Sequence, residues 1–311
     1  MNEPAVRRVA LPTGVELEVA VAGDPANPPV VLLHGFPESW RTWRHQIPAL
    51  AADHYVIAPN QRGYAGSSRP EGVEHYTADA LIGDIFALAD AMGIGRFTLV
   101  GHDWGGAIAW AAALRERERI HRLIILNAPH PQVFQRKLLD DMPQRAASQY
   151  IRVFRDSRID AGLATREGQE KFFDNLFVKH LSAPVSAEER AIYLDQWSQP
   201  GGLTPMLNWY RATGLIVPAM DEHPERPAWI DGPFPLIAQP TLVVWGMADN
   251  GLLPCLTDGL DRLIPDYTLV QVPDGGHFVP WERPDAVTRA MLQWLAKHPV
   301  AAQPPVDPVT A

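Results

Sequence analysis

The chain has 311 residues, 46% of them hydrophobic and 20% charged, which is the make-up of a globular protein with one large core or a core plus an inserted lobe. A formal net charge of −9 argues against nucleic acid and anionic membrane surfaces as partners, and no apolar run is long enough to cross a bilayer. Cys255 is the only cysteine, so no internal disulfide is possible, and the first eight residues lack the apolar stretch of a secretory signal; both point to a reducing, cytoplasmic setting.

In chain order, Ala5 to Leu11 and Val15 to Ala22 alternate around Pro12-Thr13-Gly14 and predict a hairpin. Val30-Val31-Leu32-Leu33 is a continuous apolar run, as expected of a strand covered on both faces, and it leads into His34-Gly35-Phe36-Pro37-Glu38-Ser39-Trp40. Tyr55-Val56-Ile57-Ala58 is the next strand, followed by the turn Pro59-Asn60-Gln61-Arg62-Gly63-Tyr64. Leu81, Ile85, Leu88 and Met92 stand at helical spacing and predict an amphipathic helix over 77–91. Arg96 to Val100 reads as a buried strand, Ala107 to Leu114 as an alanine-rich helix, and Leu123 to Leu126 as a further strand.

After Pro129 the pattern changes. No compact β-branched run appears between Pro131 and Pro218, and helices are predicted over 132–140, 144–155, 167–177 and 187–197. A proline-rich return, 218–240, precedes two more strands, Thr241 to Trp245 and Tyr267 to Val272. Alternating strands and helices imply a mostly parallel sheet with helices on both faces, and a helical insert would lie over the carboxyl ends of its strands. The organisation expected is a core, 1–130, a helical cap, 131–230, the rest of the core, 231–300, and a disordered proline-rich tail, 301–311. No internal repeat is present.

The stretch Leu99-Val100-Gly101-His102-Asp103-Trp104-Gly105-Gly106 joins a buried strand to a helix through a glycine-flanked turn that carries one reactive side chain, Asp103. This is the layout of a nucleophile elbow, in which small residues let strand and helix approach while one side chain is lifted clear. A serine there gives an acyl-enzyme. A carboxylate attacks saturated carbon and forms an ester that a second step must hydrolyse. The competing reading is an aspartate that only caps the following helix.

With His34-Gly35-Phe36-Pro37-Glu38-Ser39-Trp40, Gln61-Arg62-Gly63-Tyr64, Gly101 to Gly106 and Gly275-Gly276-His277-Phe278, the chain resembles the α/β-hydrolase superfamily, and within it the epoxide hydrolase and haloalkane dehalogenase branch. The resemblance spans nearly the whole chain and implies an α/β-hydrolase fold: a mostly parallel eight-stranded sheet flanked by helices, with a helical cap inserted after strand 6. It implies His277 as the general base and a carboxylate to orient it. The position after strand 6 holds Asn127, which cannot supply the charge, so Asp249 after strand 7 is expected; Asp258, Asp266 and Asp274 are rivals better explained by turns. Backbone N–H groups of Phe36 and Trp104 are expected to form the oxyanion hole. Phe36, Trp104, Trp209 and Phe278 are expected to line the substrate site.

The helical insert decides the branch. Opening an epoxide leaves an alkoxide that needs a proton donor, and a tyrosine phenol suits that role. Gln149-Tyr150-Ile151-Arg152-Val153-Phe154 and Leu207-Asn208-Trp209-Tyr210-Arg211 are similar to the two cap segments that carry acid tyrosines in epoxide hydrolases, so Tyr150 and Tyr210 are the expected acids; Tyr193 is expected to pack, and Tyr64 belongs to a turn. A haloalkane dehalogenase would use Asp103 and His277 too, with Trp104 and a second donor such as Trp197 or Trp209 holding the halide. Trp104 and Ala107 stand where a fluoroacetate-type enzyme has arginines, which favours an uncharged substrate. A non-catalytic binder would have no need of the set, and a serine esterase lacks its serine. The expected reaction turns an epoxide and water into a vicinal diol. It needs no metal and no organic cofactor, because nucleophile, base and acids are all side chains. Monomer and homodimer are both compatible with the sequence, and the alanine- and arginine-rich composition resembles that of bacterial proteins.

Overall fold

The structure, a computed structural model, describes residues 3–178, 181 and 185–301. Among the described residues eight strands run in chain order: β1 Ala5–Ala10, β2 Glu16–Ala22, β3 Pro29–Leu33, β4 Tyr55–Pro59, β5 Phe97–His102, β6 Ile120–Leu126, β7 Thr241–Gly246 and β8 Tyr267–Val272. They form one sheet in the order β1-β2-β4-β3-β5-β6-β7-β8. The expected hairpin makes β1 and β2 antiparallel, β2 pairs antiparallel with β4, and the remaining pairs are parallel.

The continuous apolar runs are explained by cover on both faces. Along β3, β4 and β5 successive side chains point to opposite sides, so Val31, Leu33, Ile57 and Leu99 join one core while Val30, Leu32, Val56 and Val100 join the other. The helices Ala78–Ala91 and Trp104–Arg115 cover the first face with Leu81, Ile85, Leu88 and Ile108. The helix Pro284–Lys297 covers the second with Val287, Met291 and Trp294.

Between β6 and β7 the described residues contain helices and no strand. Ile151, Phe154, Trp197 and Tyr210 from this segment belong to the same cluster as the first face of the sheet, so the segment shares the main core. It is tied to the loop after β3 by the Trp197 indole, whose N–H donates to the Pro37 carbonyl (3.1 Å).

Several boundaries differ from the expected ones. The helix predicted over 107–114 begins at Trp104, because both elbow glycines are taken into its first turn. The helix predicted over 144–155 is two, Met142–Ala147 and Gln149–Arg155. The break is at Ser148, whose hydroxyl accepts a hydrogen bond from the Gln144 amide (2.8 Å). The helix predicted over 167–177 is α-helical over Arg166–Phe173 and then widens to a π turn over Asp174–Val178. Only Ala301 of the expected disordered tail falls within the described residues.

Candidate active site

The turn after β5 places Asp103 at φ 49° and ψ −119°, a conformation that residues other than glycine rarely adopt. Asp103 stands at the N-cap of the Trp104–Arg115 helix, yet its side chain makes no capping hydrogen bond. The helix-cap alternative therefore fails. Instead the carboxylate faces the loop after β3, and its Oδ1 accepts the Phe36 N–H at 2.8 Å. The Trp104 N–H is a second backbone donor to the same carboxylate. Close approach explains the flanking glycines: a Cβ on Gly105 would lie 2.4 Å from the Leu33 carbonyl oxygen, and one on Gly35 would lie 2.6 Å from the Asp103 Cβ.

His277, in the loop after β8, faces two carboxylates. Its Nδ1 donates to Asp249 Oδ2 at 2.8 Å, and its Nε2 stands 3.7 Å from Asp103 Oδ2. Asp249 Oδ1 accepts the Gly251 and Leu252 N–H groups (2.8 and 2.9 Å), and Oδ2 also accepts the Asn127 amide (2.8 Å). Burial disfavours the charged form of Asp249, but the His277 charge and these hydrogen bonds prevail and hold its carboxyl below the usual range. Burial likewise opposes the His277 imidazolium. Asp249, then Asp103 and Glu38, outweigh it and raise the ring to about 9. Asp103 goes the other way: burial raises its carboxyl, and the His277 and His102 charges and the two N–H donors offset this only in part. The rival acids are elsewhere and mostly exposed: Asp258 pairs with Lys137, Asp274 with Arg283, and Asp266 lies near His298.

Opposite Asp103 stand the two tyrosines from the helical segment, Tyr150 on Gln149–Arg155 and Tyr210 on Thr204–Ala212. Their ring centroids are 6.3 Å apart. The Tyr210 ring packs edge-on against Phe36, Trp104 and Phe154, with centroids 5.0–5.1 Å away. Burial and then the charge of Asp103 hold both phenols well above their ordinary pKa, so both keep their protons. The Trp104 side chain hydrogen-bonds the Tyr210 hydroxyl and works against that rise. The indole N–H is the donor there, which leaves the phenol proton available to a ligand.

Asp103, Tyr150 and Tyr210 line two adjoining cavities. One, of about 280 Å³, also has Phe36, Asp249, His277 and Phe278 on its wall; the other, of about 230 Å³, has Trp104. Among the described residues no lysine or arginine lines either. Trp209 does not line them and corrects the sequence expectation. It is buried behind Trp104, its ring 5.4 Å from Tyr64, with its indole N–H donated to the Arg62 carbonyl (3.1 Å). Tyr193 packs as expected, buried against Phe177 and Trp281.

Residues 28–284 match a family model described as "alpha/beta hydrolase fold". Among curated proteins, Epoxide hydrolase A of Mycobacterium tuberculosis is 35% identical over 328 residues, covering 95% of this chain and 98% of the relative. The AB hydrolase superfamily protein YfhM of Bacillus subtilis is 35% identical over 285 residues, covering 91% and 95%. Among solved structures, one from a study of novel epoxide hydrolases in metagenomes from hot environments superposes with a TM-score of 0.87 at 47% identity, covering 95% of this chain and 99% of that one. A Bacillus megaterium epoxide hydrolase solved with an inhibitor gives a TM-score of 0.82 at 28% identity, covering 93% and 100%. The chain belongs to the α/β-hydrolase family, in its epoxide-hydrolase branch.

Within this α/β hydrolase two groups beside the expected ones were not found from the sequence. Asn127, set aside because it carries no charge, accepts the Gly246 N–H (2.8 Å) and donates to Asp249, so it fixes the acid from the end of the neighbouring strand. Below the elbow, His102 is fully buried, with Nδ1 2.9 Å from Glu38 and Nε2 2.8 Å from the His277 carbonyl oxygen. The carbonyl can only accept, so Nε2 donates to it, and Nδ1 faces the Glu38 carboxylate. Burial opposes the charge of Glu38, but the pull of His102 holds its carboxyl below the usual range. The sequence does show both residues inside the quoted motifs; only the contact across 64 positions reveals the pair.

Proposed function

We propose that this protein hydrolyses uncharged epoxides to vicinal diols through an alkyl ester on Asp103. The observation that carries this reading is the pair of protonated phenols, Tyr150 and Tyr210, facing the same cavity as Asp103 and His277. With Oδ1 of Asp103 held by the Phe36 N–H, Oδ2, on the His277 side, is the attacking atom. It bonds to an epoxide carbon as the C–O bond of the ring breaks, and a tyrosine proton passes to the ring oxygen.

Esterification removes the Asp103 charge, one of the influences that raise His277. His277 then gives up its proton, and the tyrosinate left by the first step accepts it. Neutral His277 takes a proton from water, which attacks the Asp103 carboxyl carbon while the two N–H groups hold the developing oxyanion. The ester C–O bond breaks, the diol oxygen takes up the carboxyl proton, and Asp103 is again a carboxylate. One epoxide and one water have become one diol. Asp249 orients the ring and stabilises its charge.

Residues 131–230 act as a lid that brings the acids to a core built from 1–130 and 231–300, and the enzyme works in the cytoplasm on small molecules. The haloalkane dehalogenase alternative loses support because the indole N–H groups of Trp197 and Trp209 are both donated to backbone carbonyls, which leaves neither for a halide.

Intact-protein mass spectrometry of His277→Ala mixed with epoxides and haloalkanes, with Asp103→Ala as control, tests the reading. An adduct of whole epoxide mass, absent from the control, is expected. An adduct of a haloalkane less hydrogen halide, or no epoxide adduct, would overturn it.

A further inference from the structure

A side chain of the helical segment grips the loop that carries Asp249. Gln144, on Met142–Ala147, is fully buried. Its Oε1 accepts the Leu253 N–H at 2.9 Å, which fixes the orientation of the amide. Its Nε2 therefore donates to the Gly251 carbonyl at 2.9 Å and to the Ser148 hydroxyl at 2.8 Å. The Gly251 carbonyl belongs to the same peptide group as the Leu252 N–H, and that N–H donates to Asp249 Oδ1 at 2.9 Å. One rigid peptide plane thus joins Gln144 to the acid. A hydrogen bond at its carbonyl end polarises the N–H end and fixes its direction.

We propose that Gln144 is a positioning residue for the reaction: through the Gly251–Leu252 peptide it holds Asp249 on His277 and so supports hydrolysis of the ester, not its formation. This rests on the reading of His277 as the base given above. The arrangement makes the base competent only while the helical segment that supplies Tyr150 is seated on the core, because Gln144 and Tyr150 lie on consecutive helices joined at Ser148. Acid and base would then be assembled by one docking event.

The test is single-turnover kinetics over a pH range for wild type, Gln144→Ala and Gln144→Glu. Gln144→Glu keeps an acceptor for the Leu253 N–H but sets a carboxylate against the Gly251 carbonyl, and it carries the test if Gln144→Ala does not fold. Ester breakdown is expected to slow by roughly 3- to 30-fold in both, with ester formation changed by less than about twofold. The pH midpoint of breakdown should move to lower pH, because a less well-placed Asp249 stabilises the imidazolium less. Ser148→Ala, which removes only the other acceptor, is expected to leave that midpoint in place. Breakdown at the wild-type rate and midpoint in Gln144→Glu would overturn the proposal. Equal slowing of both steps with no change of midpoint would also overturn it, since that is what a residue fastening the helices alone would give. Absence of any ester in wild type and in His277→Ala would instead refute the reaction on which it rests.

Discussion

The core loops and the helical segment hold their functional groups by different means. Around Asp103, Asp249 and His277 the fixing contacts are hydrogen bonds from backbone and buried side chains. Asp249 alone takes four, from Gly251, Leu252, Asn127 and His277. Hydrogen bonds to a charged group are worth about 1.5–3 kcal/mol each, so such a carboxylate has one position and one charge state. Tyr150 and Tyr210 are held mainly by rings. Tyr210 touches Phe36, Trp104, Phe154 and Tyr150, and an aromatic pair contributes only about 0.5–1.5 kcal/mol beyond its burial. The charged half of the site is thus built to stay put. The acid half is built from contacts that tolerate small shifts.

Four experiments break or sharpen this contrast. The largest effect is expected for Asp249→Asn, which keeps the shape but removes the charge that orients His277. Ester hydrolysis should fall by about 10²–10⁴-fold while ester formation persists, so ester accumulates in rapid-quench mass spectra. Next, Tyr150→Phe with Tyr210→Phe in one chain should slow ester formation by roughly 10²–10⁴-fold, and each alone by less, because either phenol can donate. Stopped-flow formation rates distinguish this from an effect on breakdown. Third, Trp104→Phe keeps a ring against Tyr210 but removes the donor to its hydroxyl; ester formation should slow by about 3- to 10-fold, and a larger loss would place Trp104 in direct contact with the reacting oxygen.

The smallest effect concerns stability. Folded His277 keeps its proton up to about 9, above its ordinary 6.5, so between those values the folded state binds more protons than the unfolded. The stabilisation is complete below pH 6.5 and is lost as pH rises through 9. Melting temperatures should therefore fall more steeply across that window in wild type than in His277→Gln. Parallel slopes would mean that the ring is not held charged by its carboxylates.

Legibility in the sequence follows the same division. The elbow was readable because its glycines, its apolar strand and its alanine-rich helix are neighbours in the chain. The sheet was readable because cover on both faces leaves runs such as Val30 to Leu33 with no polar residue. What escaped depends on contacts between distant segments. Ser148 interrupts a helix that local spacing runs straight through, and two partners of Gln144, Gly251 and Leu253, are more than a hundred positions away. Asn127 was judged on its own charge, when its part is to hold the acid on the next strand. Trp209 sits beside Tyr210 in sequence, but on a helix the two point in different directions, and only Tyr210 reaches the cavity.

The most direct test of the covalent route is a single turnover in ¹⁸O-labelled water, with enzyme in excess over epoxide, followed by mass spectrometry of the peptide bearing Asp103 and of the diol. Attack of water on the Asp103 carboxyl carbon predicts label in the peptide and an unlabelled diol. Label in the diol, with an unlabelled Asp103, would mean that water opens the epoxide directly and that no ester is formed.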